Sequence, residues 1–317
     1  MLVELIIIYW ICSFIAFFLS PLIYKKKLTK AARIYLEAKE PLLMSHRGGM
    51  LEQYDNSLSA FKHSIKLNLP SIETDVRKTK DGKFVVIHDQ NLERVTGQNK
   101  FINETNFNEI GTYKEVVSTD YGLQYKGSSG QSEKVCLLTD LFNLIKNTDI
   151  VVSIDVKTGS TSDIDEIADL AKEHSVFDNI ILGSSREYLA SSLYKKHGND
   201  LNTFFSIYSS ITLFILFAIG LLPFIPLKSN FFFTPYLFSD VKNARDLKVS
   251  LLYRLVLDFI YMLRPVLRFM FWHLQQRNIS VIIFVVNNKE DYEIAKEFGV
   301  NVIITDRPEL LTKITSN

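Results

Sequence analysis

Polar side chains that could carry out acid/base or metal chemistry stand at the ends of apolar segments in this chain of 317 residues. They are His46, Glu73, Asp75, His88, Asp155, Lys157 and Asp306. Glu73 and Asp75 lie one residue apart, so in a strand both carboxylates would occupy the same face. Two unpaired carboxylates there would repel each other and raise each other's pKa. A bound cation or a network of ion pairs would resolve that conflict.

The acids favour a particular class of cation. Asp155 adds a third oxygen donor, while the two cysteines, Cys12 and Cys136, form no Cys/His zinc spacing. Three carboxylates without a thiolate match Mg²⁺ or Ca²⁺ better than Zn²⁺. The alternative is a buried network in which Arg47 and Lys157 neutralise the same acids.

The histidines suggest proton transfer on a negatively charged substrate. One imidazole of His46 and His88 could take a proton from the attacking oxygen, while the other gives a proton to the leaving oxygen. A metal would neutralise the charge that develops between them. Arg47 and Lys157 could bind phosphate oxygens, the guanidinium as a fork and the ammonium as a point charge. Together these residue types indicate a phosphodiesterase.

The segments that must position these side chains are short apolar runs alternating with helical ones. Strands are predicted at residues 42–46, 72–76, 84–89, 151–157, 179–184, 203–208, 281–287 and 302–306. Their β-branched composition is typical of strands buried on both faces of a parallel sheet. Eight such strands separated by helices predict an α/β fold, a (β/α)8 TIM barrel, with a doubly wound open sheet as the alternative. In a barrel, the C-terminal ends of the strands meet at one mouth, where active sites form.

The N-terminal segment predicts a transmembrane anchor, residues 1–24. It carries Glu4 as its single charge and is long enough for the roughly 20 residues of a membrane-spanning helix. A cleaved signal peptide is the alternative, but the segment has no basic start and no small-residue cleavage site. Residues 25–40 form a basic linker that would attract anionic lipid head groups and keep the following barrel domain, residues 41–317, on the cytosolic side. We expect an internal membrane such as the endoplasmic reticulum.

A second apolar region interrupts the barrel pattern between the sixth and seventh predicted strands. It extends over about 70 residues, far beyond an ordinary loop. Its most apolar part, residues 211–233, cannot cross the membrane once, because the strands on both sides belong to one barrel. Gly220, Pro223 and Pro226 supply breaks for a re-entrant or interfacial hairpin. We therefore predict a membrane-associating insertion at about residues 208–250.

Net charge and cysteine content narrow the functional classes. The net charge of +1 gives no sign of a nucleic-acid binding surface. Two cysteines do not make a disulfide framework, which is compatible with a reducing compartment. The sequence identifies no protein partner.

Five segments resemble the glycerophosphodiester phosphodiesterase family in their order and spacing. They read HRGG at 46–49, DNSLSAF at 55–61, ETDVRKTKDGKFVVIHD at 73–89, IDVK at 154–157 and VNVIITDRPELL at 300–311. The resemblance implies a TIM barrel that uses a divalent metal ion, Mg²⁺ or Ca²⁺, to hydrolyse phosphodiesters.

The resemblance also implies a role for each matched residue. The residues that match the family's acid/base histidines are His46 and His88. Those that match its metal ligands are Glu73, Asp75 and Asp155, with His88 as a possible further ligand. Those that resemble its phosphate contacts are Arg47 and Lys157. Those that belong to the motif after HRGG are Glu52 and Asn56.

Three positions depart from the family's pattern. Asp55 stands where the motif usually has Glu, so a metal contact from that position would be one methylene shorter. Asp155 stands where many members have Glu, and Phe284 stands where many have Trp. Only the first departure puts a contact in doubt.

The anchor and the sequence GLLPFIP at 220–226 resemble the membrane-bound lysophospholipase D branch of the family. This resemblance implies hydrolysis of lysophospholipids, such as lysophosphatidylcholine and N-acyl lysophosphatidylethanolamine, to lysophosphatidic acid and a free head group. An insertion leaving the barrel mouth could supply an apolar wall, and each buried methylene of an acyl chain gains about 0.8 kcal/mol.

Three alternatives to this substrate class stay open. The first is hydrolysis of deacylated glycerophosphodiesters to glycerol 3-phosphate and an alcohol. The second is transfer to an internal hydroxyl of the substrate, which gives a cyclic phosphate. The third is lipid binding by a non-catalytic barrel at the membrane.

Overall fold

A computed structural model describes residues 1–119, 122–127, 132–236 and 262–315. Within them, eight parallel strands form a nearly closed barrel, which confirms the predicted TIM-barrel fold. The strands are β1 Leu42–Ser45, β2 Ser71–Lys78, β3 Val151–Val156, β4 Ile180–Gly183, β5 Asn202–Thr203, β6 Phe231–Pro235, β7 Ser280–Phe284 and β8 Val302–Thr305. Their order around the barrel is β5-β4-β3-β2-β1-β8-β7-β6. A parallel backbone bridge between Phe204 and Phe231 joins the two ends.

Helices alternate with these strands. They are α1 Leu2–Ile23, α2 Lys30–Leu36, α3 Leu58–Lys66, α4 Glu93–Thr96, α5 Leu138–Ile145, α6 Thr161–Glu173, α7 Glu187–His197, α8 Ile207–Ala218, α9 Arg264–Gln276, α10 Lys289–Glu297 and α11 Pro308–Thr315. Side chains of Ser57, Ser206 and Asn288 accept hydrogen bonds from backbone N–H groups in the first turns of α3, α8 and α10. These caps stabilise the start of each helix, typically by about 1 kcal/mol.

Shorter elements complete the described part of the fold. Single 3-10 turns occur at His46–Gly48, Ile102–Glu104, Phe107–Glu109, Phe177–Asn179 and Leu222–Phe224. The strands Val116–Ser118 and Gln124–Lys126 form an antiparallel pair in a sheet of their own.

Two details of the predicted barrel are wrong. The predicted third strand forms only Phe84–Val86, which pairs antiparallel with the end of β2 and lies outside the parallel barrel. The chain reverses after β2 through a turn in which Gly82 has φ +79°, a conformation that glycine adopts without strain. The eighth barrel strand is β6, whose sequence FFFTP the prediction assigned largely to the membrane segment 211–233. Since β6 pairs with β7 along its whole length, residues 231–233 belong to the barrel.

Of the predicted insertion, residues 208–230 lie between β5 and β6. Its described part contains α8 and the turn Leu222–Phe224. The last part of the predicted insertion, residues 237–250, lies outside the described residues. After it, α9 packs against β7 as a helix of the barrel's outer layer.

The barrel is closed at its N-terminal end by α2. Tyr35 of α2 is fully buried with inward-facing side chains such as Met44 and Ile282. Asn301, which lies just before β8, donates a hydrogen bond to the carbonyl of Tyr35. The segment predicted as a basic linker, residues 25–40, thus contributes a helix to the core.

The N-terminal helix α1, with 22 residues, is long and apolar enough to cross a membrane. Most of its side chains are exposed, but one side of the helix contacts the barrel domain. The ring of Phe17 stacks on Phe269 of α9 at 4.3 Å between centroids. Ser13 Oγ donates a 2.5 Å hydrogen bond to the carbonyl of Gly220. The helix is therefore docked on the insertion and on α9.

Candidate active site

One cavity of about 670 Å³ lies at the C-terminal ends of the barrel strands. Seven of the nine residues predicted for the site line it, namely His46, Arg47, Glu73, Asp75, His88, Asp155 and Lys157. The parallel register of β2 and β3 places Asp75 directly opposite Asp155. The fold thus brings together acids from distant parts of the sequence.

A tight turn after β1 carries His46 and Arg47 into the cavity. Arg47 has φ +52°, and the two glycines that follow have φ +82° and +104°. A Cβ atom at Gly48 would lie 2.6 Å from Ala60 Cβ, so only glycine lets the turn pack against α3. The glycines of the HRGG sequence are therefore required by the backbone conformation and packing of the turn, independently of any chemical role of His46 and Arg47.

A buried aspartate orients the imidazole of His46. Nδ1 donates a 2.6 Å hydrogen bond to Asp306 Oδ1, which leaves Nε2 facing Glu73 Oε2 at 3.8 Å. Asn287 Nδ2 donates to the other oxygen of Asp306 at 2.8 Å. Burial lowers the pKa of His46, but the hydrogen bond to Asp306 and the charge of Glu73 outweigh it and raise the pKa above its usual value. A raised pKa suits a histidine that must give or take a proton near neutral pH.

The two acids of β2 differ in their electrostatic surroundings. Burial and the neighbouring charge of Asp75 raise the pKa of Glu73 to about 7. Burial also acts on Asp75, but the charges of Arg47 and Lys157 outweigh it and hold the pKa of Asp75 well below its usual value. Arg47 Nε lies 3.3 Å from Asp75 Oδ2, and Lys157 Nζ lies 3.3 Å from Asp75 Oδ1. Asp75 is therefore the fixed anion of the pair, while Glu73 holds its proton more tightly.

Lys157 bridges the acids of β2 and β3. Its Nζ also lies 2.6 Å from Asp155 Oδ2. Burial lowers the pKa of Lys157, but the charges of Asp75 and Asp155 outweigh it and raise the pKa to about 12. Burial raises the pKa of Asp155, whose Oδ1 is buried and has no hydrogen-bond partner of normal geometry in the part of the chain that the structure describes.

The donor set fits a hard divalent cation. All three predicted ligands offer oxygen, and within the described residues the buried Oδ1 of Asp155 accepts no hydrogen bond of normal geometry. The ion pairs that the sequence left as an alternative are also present, since Arg47 and Lys157 contact the acids. The role of Glu73 and Asp75 as metal ligands therefore stays a prediction.

A second group of potential metal ligands was not predicted. Glu52, His63 and Glu309 offer atoms that all lie within 4.8 Å of one another, a spacing that the three predicted ligands do not meet among the described residues. His63 Nε2 lies 3.8 Å from Glu52 and 3.5 Å from Glu309. The carboxylate of Glu52 also accepts hydrogen bonds from the backbone N–H groups of Glu309 and Leu310 at the start of α11. These contacts give Glu52 a capping role outside the cavity.

A chain of charged groups orients His88. Its Nδ1 lies 2.9 Å from Asp89 Oδ1, and Arg94 Nε lies 2.5 Å from the other oxygen of Asp89. Burial raises the pKa of Asp89, but the contacts with His88 and Arg94 outweigh it and lower the pKa to about 2. Arg94 also binds Asp55, with Nη2 2.6 Å from Oδ2. Asp55 therefore takes part in an ion pair with Arg94, and a metal contact from Asp55 stays a prediction.

Asn56 forms hydrogen bonds that hold Asp75 and its strand in place. Its Oδ1 accepts hydrogen bonds from Thr74 Oγ1 at 2.7 Å and from the backbone N–H of Asp75 at 3.3 Å. Its Nδ2 donates to Asp75 Oδ2 at 3.2 Å. Asn56 therefore fixes the orientation of a predicted metal ligand and is itself buried.

Sequence reasoning missed the partners that orient the histidines. The sequence pattern identifies Asp306 only as an acid at a strand end and does not single out Asp89, which directly follows His88. Because a catalytic imidazole needs one fixed tautomer, an acid at each histidine is a signal that could have been sought. Arg94 lies on the short helix α4, away from any strand end, so its position in the sequence does not indicate that it belongs to the site.

The other half of the cavity is apolar. It is lined by Phe204, Phe205, Ile207, Ile211, Phe214, Phe233, Phe284 and Ile304, among others. These side chains come from α8, from the segment after β5 and from β6, β7 and β8. Sequence reasoning predicted an apolar wall from the insertion but counted Phe233 in the membrane segment.

The chain is similar to several known proteins. The model of the glycerophosphoryl diester phosphodiesterase family matches residues 46–310. Lysophospholipase D GDPD1 of Homo sapiens is 31% identical over 278 residues, which cover 86% of this chain and 86% of that protein. A glycerophosphodiester phosphodiesterase of Caldanaerobacter subterraneus is 26% identical over 276 residues, which cover 86% of this chain and 97% of that protein.

Solved structures share the same fold. A phosphodiesterase from Oleispira antarctica, in complex with the product sn-glycerol 3-phosphate, matches with a TM-score of 0.60 and 17% identity over 89% of this chain and 98% of that chain. The family match covers most of the barrel and includes every residue predicted for the site. The chain therefore belongs to the glycerophosphoryl diester phosphodiesterase family and is a phosphodiesterase.

Proposed function

We propose that this phosphodiesterase is a metal-dependent lysophospholipase D. Its substrates would be lysophospholipids of the lysophosphatidylcholine and N-acyl lysophosphatidylethanolamine type, and its products lysophosphatidic acid and the free head group. The observation that carries the proposal is that the polar residues and a large apolar wall line the same cavity. A lysophospholipid joins a charged phosphodiester to an acyl chain, so it needs both surfaces together.

The polar half offers groups for each part of a phosphodiester hydrolysis. Arg47 and Lys157 would bind the non-bridging phosphate oxygens. His46 and His88 are each held by a carboxylate through Nδ1, which leaves Nε2 for proton transfer. One imidazole takes a proton from water as its oxygen bonds to phosphorus, and the other gives a proton to the head-group oxygen as its bond breaks.

Mg²⁺ or Ca²⁺ would be held by Glu73, Asp75 and Asp155. His88 would be a further ligand through Nε2 only if another group transfers the proton, because its Nδ1 is held by Asp89. When bound, a divalent cation neutralises charge on the reacting phosphate. The all-oxygen donor set supports this assignment, as does Oδ1 of Asp155, which accepts no hydrogen bond of normal geometry within the described residues.

The direct test compares head-group release from two choline substrates by the detergent-solubilised full chain. Lysophosphatidylcholine and glycerophosphocholine are supplied side by side in EDTA, and then after addition of Mg²⁺ or Ca²⁺. We expect metal-dependent choline release that favours the acylated substrate. Release confined to glycerophosphocholine would contradict the lysophospholipase D assignment, and no release with either metal would favour a non-catalytic lipid-binding barrel.

The second candidate is hydrolysis of deacylated glycerophosphodiesters to glycerol 3-phosphate and an alcohol. It is favoured by the name of the Caldanaerobacter relative and by the product bound in the Oleispira structure. Phosphorus NMR of the product separates both hydrolytic routes from transfer to an internal hydroxyl, because that transfer gives a cyclic phosphate.

We also propose that α1 anchors the chain in an internal membrane, such as the endoplasmic reticulum, with the barrel domain on the cytosolic side. The apolar surface of α1 and the lysines that follow it support this topology. Protease treatment of sealed microsomes should digest the barrel domain. Protection of the barrel domain until detergent is added would contradict the topology.

A further inference from the structure

The helix α8 lies between the cavity and the protein surface. Ile207, Ser210, Ile211 and Phe214 line the cavity, a spacing that repeats along one helix face. Yet the side chains of Ile207 and Ile211 are 64% and 54% exposed. These two side chains therefore line the cavity and are also exposed at the protein surface.

The opposite side of α8 attaches the helix to the barrel domain. Leu213 is buried in the apolar cluster that contains Phe232 of β6. Ser206 and Ser209, at the start of α8, both donate hydrogen bonds to the carboxylate of Glu187 on α7. The helix is thus fixed along one side and at its N-terminal end, while the cavity-lining face is left open.

The end of α8 leads to the membrane helix. With 12 residues, α8 extends over about 18 Å from the cavity. Just beyond it, Tyr9 and Ser13 of α1 donate hydrogen bonds to the carbonyls of Ile219 and Gly220. A Cβ atom at Gly220 would lie 2.6 Å from Ser13 Oγ, so this close contact depends on glycine.

The surface between the cavity and α1 is apolar. Ile211, Ile215, Ile219, Phe224 and Ile225 are all exposed. A row of exposed large apolar side chains of this kind marks an interaction surface on a protein. Because the row is continuous with the outer surface of α1, a lipid bilayer is the partner that fits it.

We propose that α8 forms an acyl-chain site that opens sideways to the bilayer, so that a lysophospholipid reaches the polar residues without leaving the membrane. The acyl chain would lie along Ile207, Ile211 and Phe214 while the phosphodiester occupies the polar half. These three side chains would then determine how strongly acylated substrates are preferred. The inference rests on the proposed lysophospholipase D function and names the residues that select its substrate.

The test uses one substitution on the cavity face and a matched one beside it. Ile211→Trp enlarges a side chain that lines the cavity, whereas Ile215→Trp makes the same change one turn later, at a residue that is 55% exposed and outside the cavity lining. The readout is the kcat/KM for lysophosphatidylcholine divided by that for glycerophosphocholine. It is measured with acyl chains of increasing length in detergent micelles.

We expect Ile211→Trp to lower this ratio about tenfold or more, with the loss growing with chain length, because steric blocking removes contacts that only the acyl chain makes. Ile215→Trp should leave the ratio unchanged. An equal effect of the two substitutions, or no effect of Ile211→Trp, would overturn the inference. The proposed function would still be supported in that case by activity of the unsubstituted chain on lysophosphatidylcholine.

A measurement that does not depend on turnover distinguishes failure of the acyl-chain site from failure of the proposed lysophospholipase D function. The probe is a lysophosphatidylcholine with a photoreactive diazirine midway along its acyl chain, added to the full chain in bilayer nanodiscs. Adducts at Ile207, Ile211 or Phe214 would support the acyl-chain site even if glycerophosphocholine proved to be the only substrate cleaved. Adducts confined to α1, or no adducts, would overturn the site whatever the substrate.

Discussion

The polar and apolar halves of the cavity differ in how tightly their side chains are held. In the polar half, Asp75 is buried and contacts Arg47, Lys157 and Asn56 at 3.2–3.3 Å. In the apolar half, Ile211 makes part of the wall while more than half of its surface is exposed. The residues proposed for the chemistry are thus fixed by the barrel, whereas the wall proposed for substrate selection lies at an edge.

This difference separates two kinds of effect. A change in the polar half alters groups that every phosphodiester would contact, so it should lower turnover of acylated and deacylated substrates alike. A change in the apolar half alters contacts that only an acyl chain makes, so it should change the ratio between the substrates. Each substitution below is measured on both substrates for that reason.

The largest effect is expected for Glu73→Gln. The amide keeps an oxygen that can accept the hydrogen bond from Arg47 N, now 3.1 Å long, but it removes the negative charge that a cation would need. We expect the kcat for both substrates to fall about 10³-fold with little change in melting temperature. The matched control is Glu309→Gln in the second group of acids, which should leave metal-dependent turnover intact. The reverse pattern would assign the metal to Glu52, His63 and Glu309.

Removal of the charge that orients His46 should have the next largest effect. Asp306→Asn keeps the shape of the side chain but removes the negative charge that raises the pKa of His46. We expect about a 10²-fold loss of kcat on both substrates, because the imidazole loses its fixed tautomer and part of its basicity.

The pH profile of Asp306→Asn also identifies the role of His46. With a lower pKa, His46 loses its proton at lower pH. If His46 acts as the acid, the alkaline limb of kcat moves to lower pH; if it acts as the base, the acidic limb does so. A profile in which neither limb moves would remove His46 from the proton transfer.

The polar half could be predicted from the sequence because its signals are local. A histidine or an acid at the end of a β-branched run is conspicuous, and alternation along a strand fixes the face. The same signal identifies His88 although its strand, Phe84–Val86, is not part of the parallel barrel. The hairpin that this strand forms with β2 still places the imidazole at the cavity.

The apolar half could not be predicted residue by residue because its side chains look like any others in a core or a membrane. The run at 231–233 is as apolar as the helix before it, so composition alone does not separate β6 from the insertion. Only the pairing of β6 with β7 reveals that Phe233 is a barrel residue beside the cavity. Long-range pairing of this kind leaves no local signal in a single sequence.

A smaller, selective effect is expected for Phe284→Trp. Phe284 ends β7 and lines the apolar half of the cavity. The larger ring would fill part of the space proposed for the acyl chain, so the ratio of kcat/KM for lysophosphatidylcholine to that for glycerophosphocholine should fall about three- to tenfold. The control is Phe177→Trp, a partly buried position on the outer side of the barrel. An equal loss on both substrates would mean that Phe284 supports the polar half.

The smallest effect is expected where α1 contacts the insertion. Tyr9→Phe combined with Ser13→Ala removes two hydrogen bonds to the carbonyls of Ile219 and Gly220, each worth about 1 kcal/mol. Because these bonds hold the end of α8 and do not touch the cavity, we expect the ratio of the two kcat/KM values to fall only two- to threefold in bilayer nanodiscs. Phe14→Leu on the exposed side of α1 should leave the ratio unchanged. If the double substitution lowers turnover of glycerophosphocholine as much as that of lysophosphatidylcholine, the contact between α1 and α8 stabilises the whole barrel rather than the open wall alone.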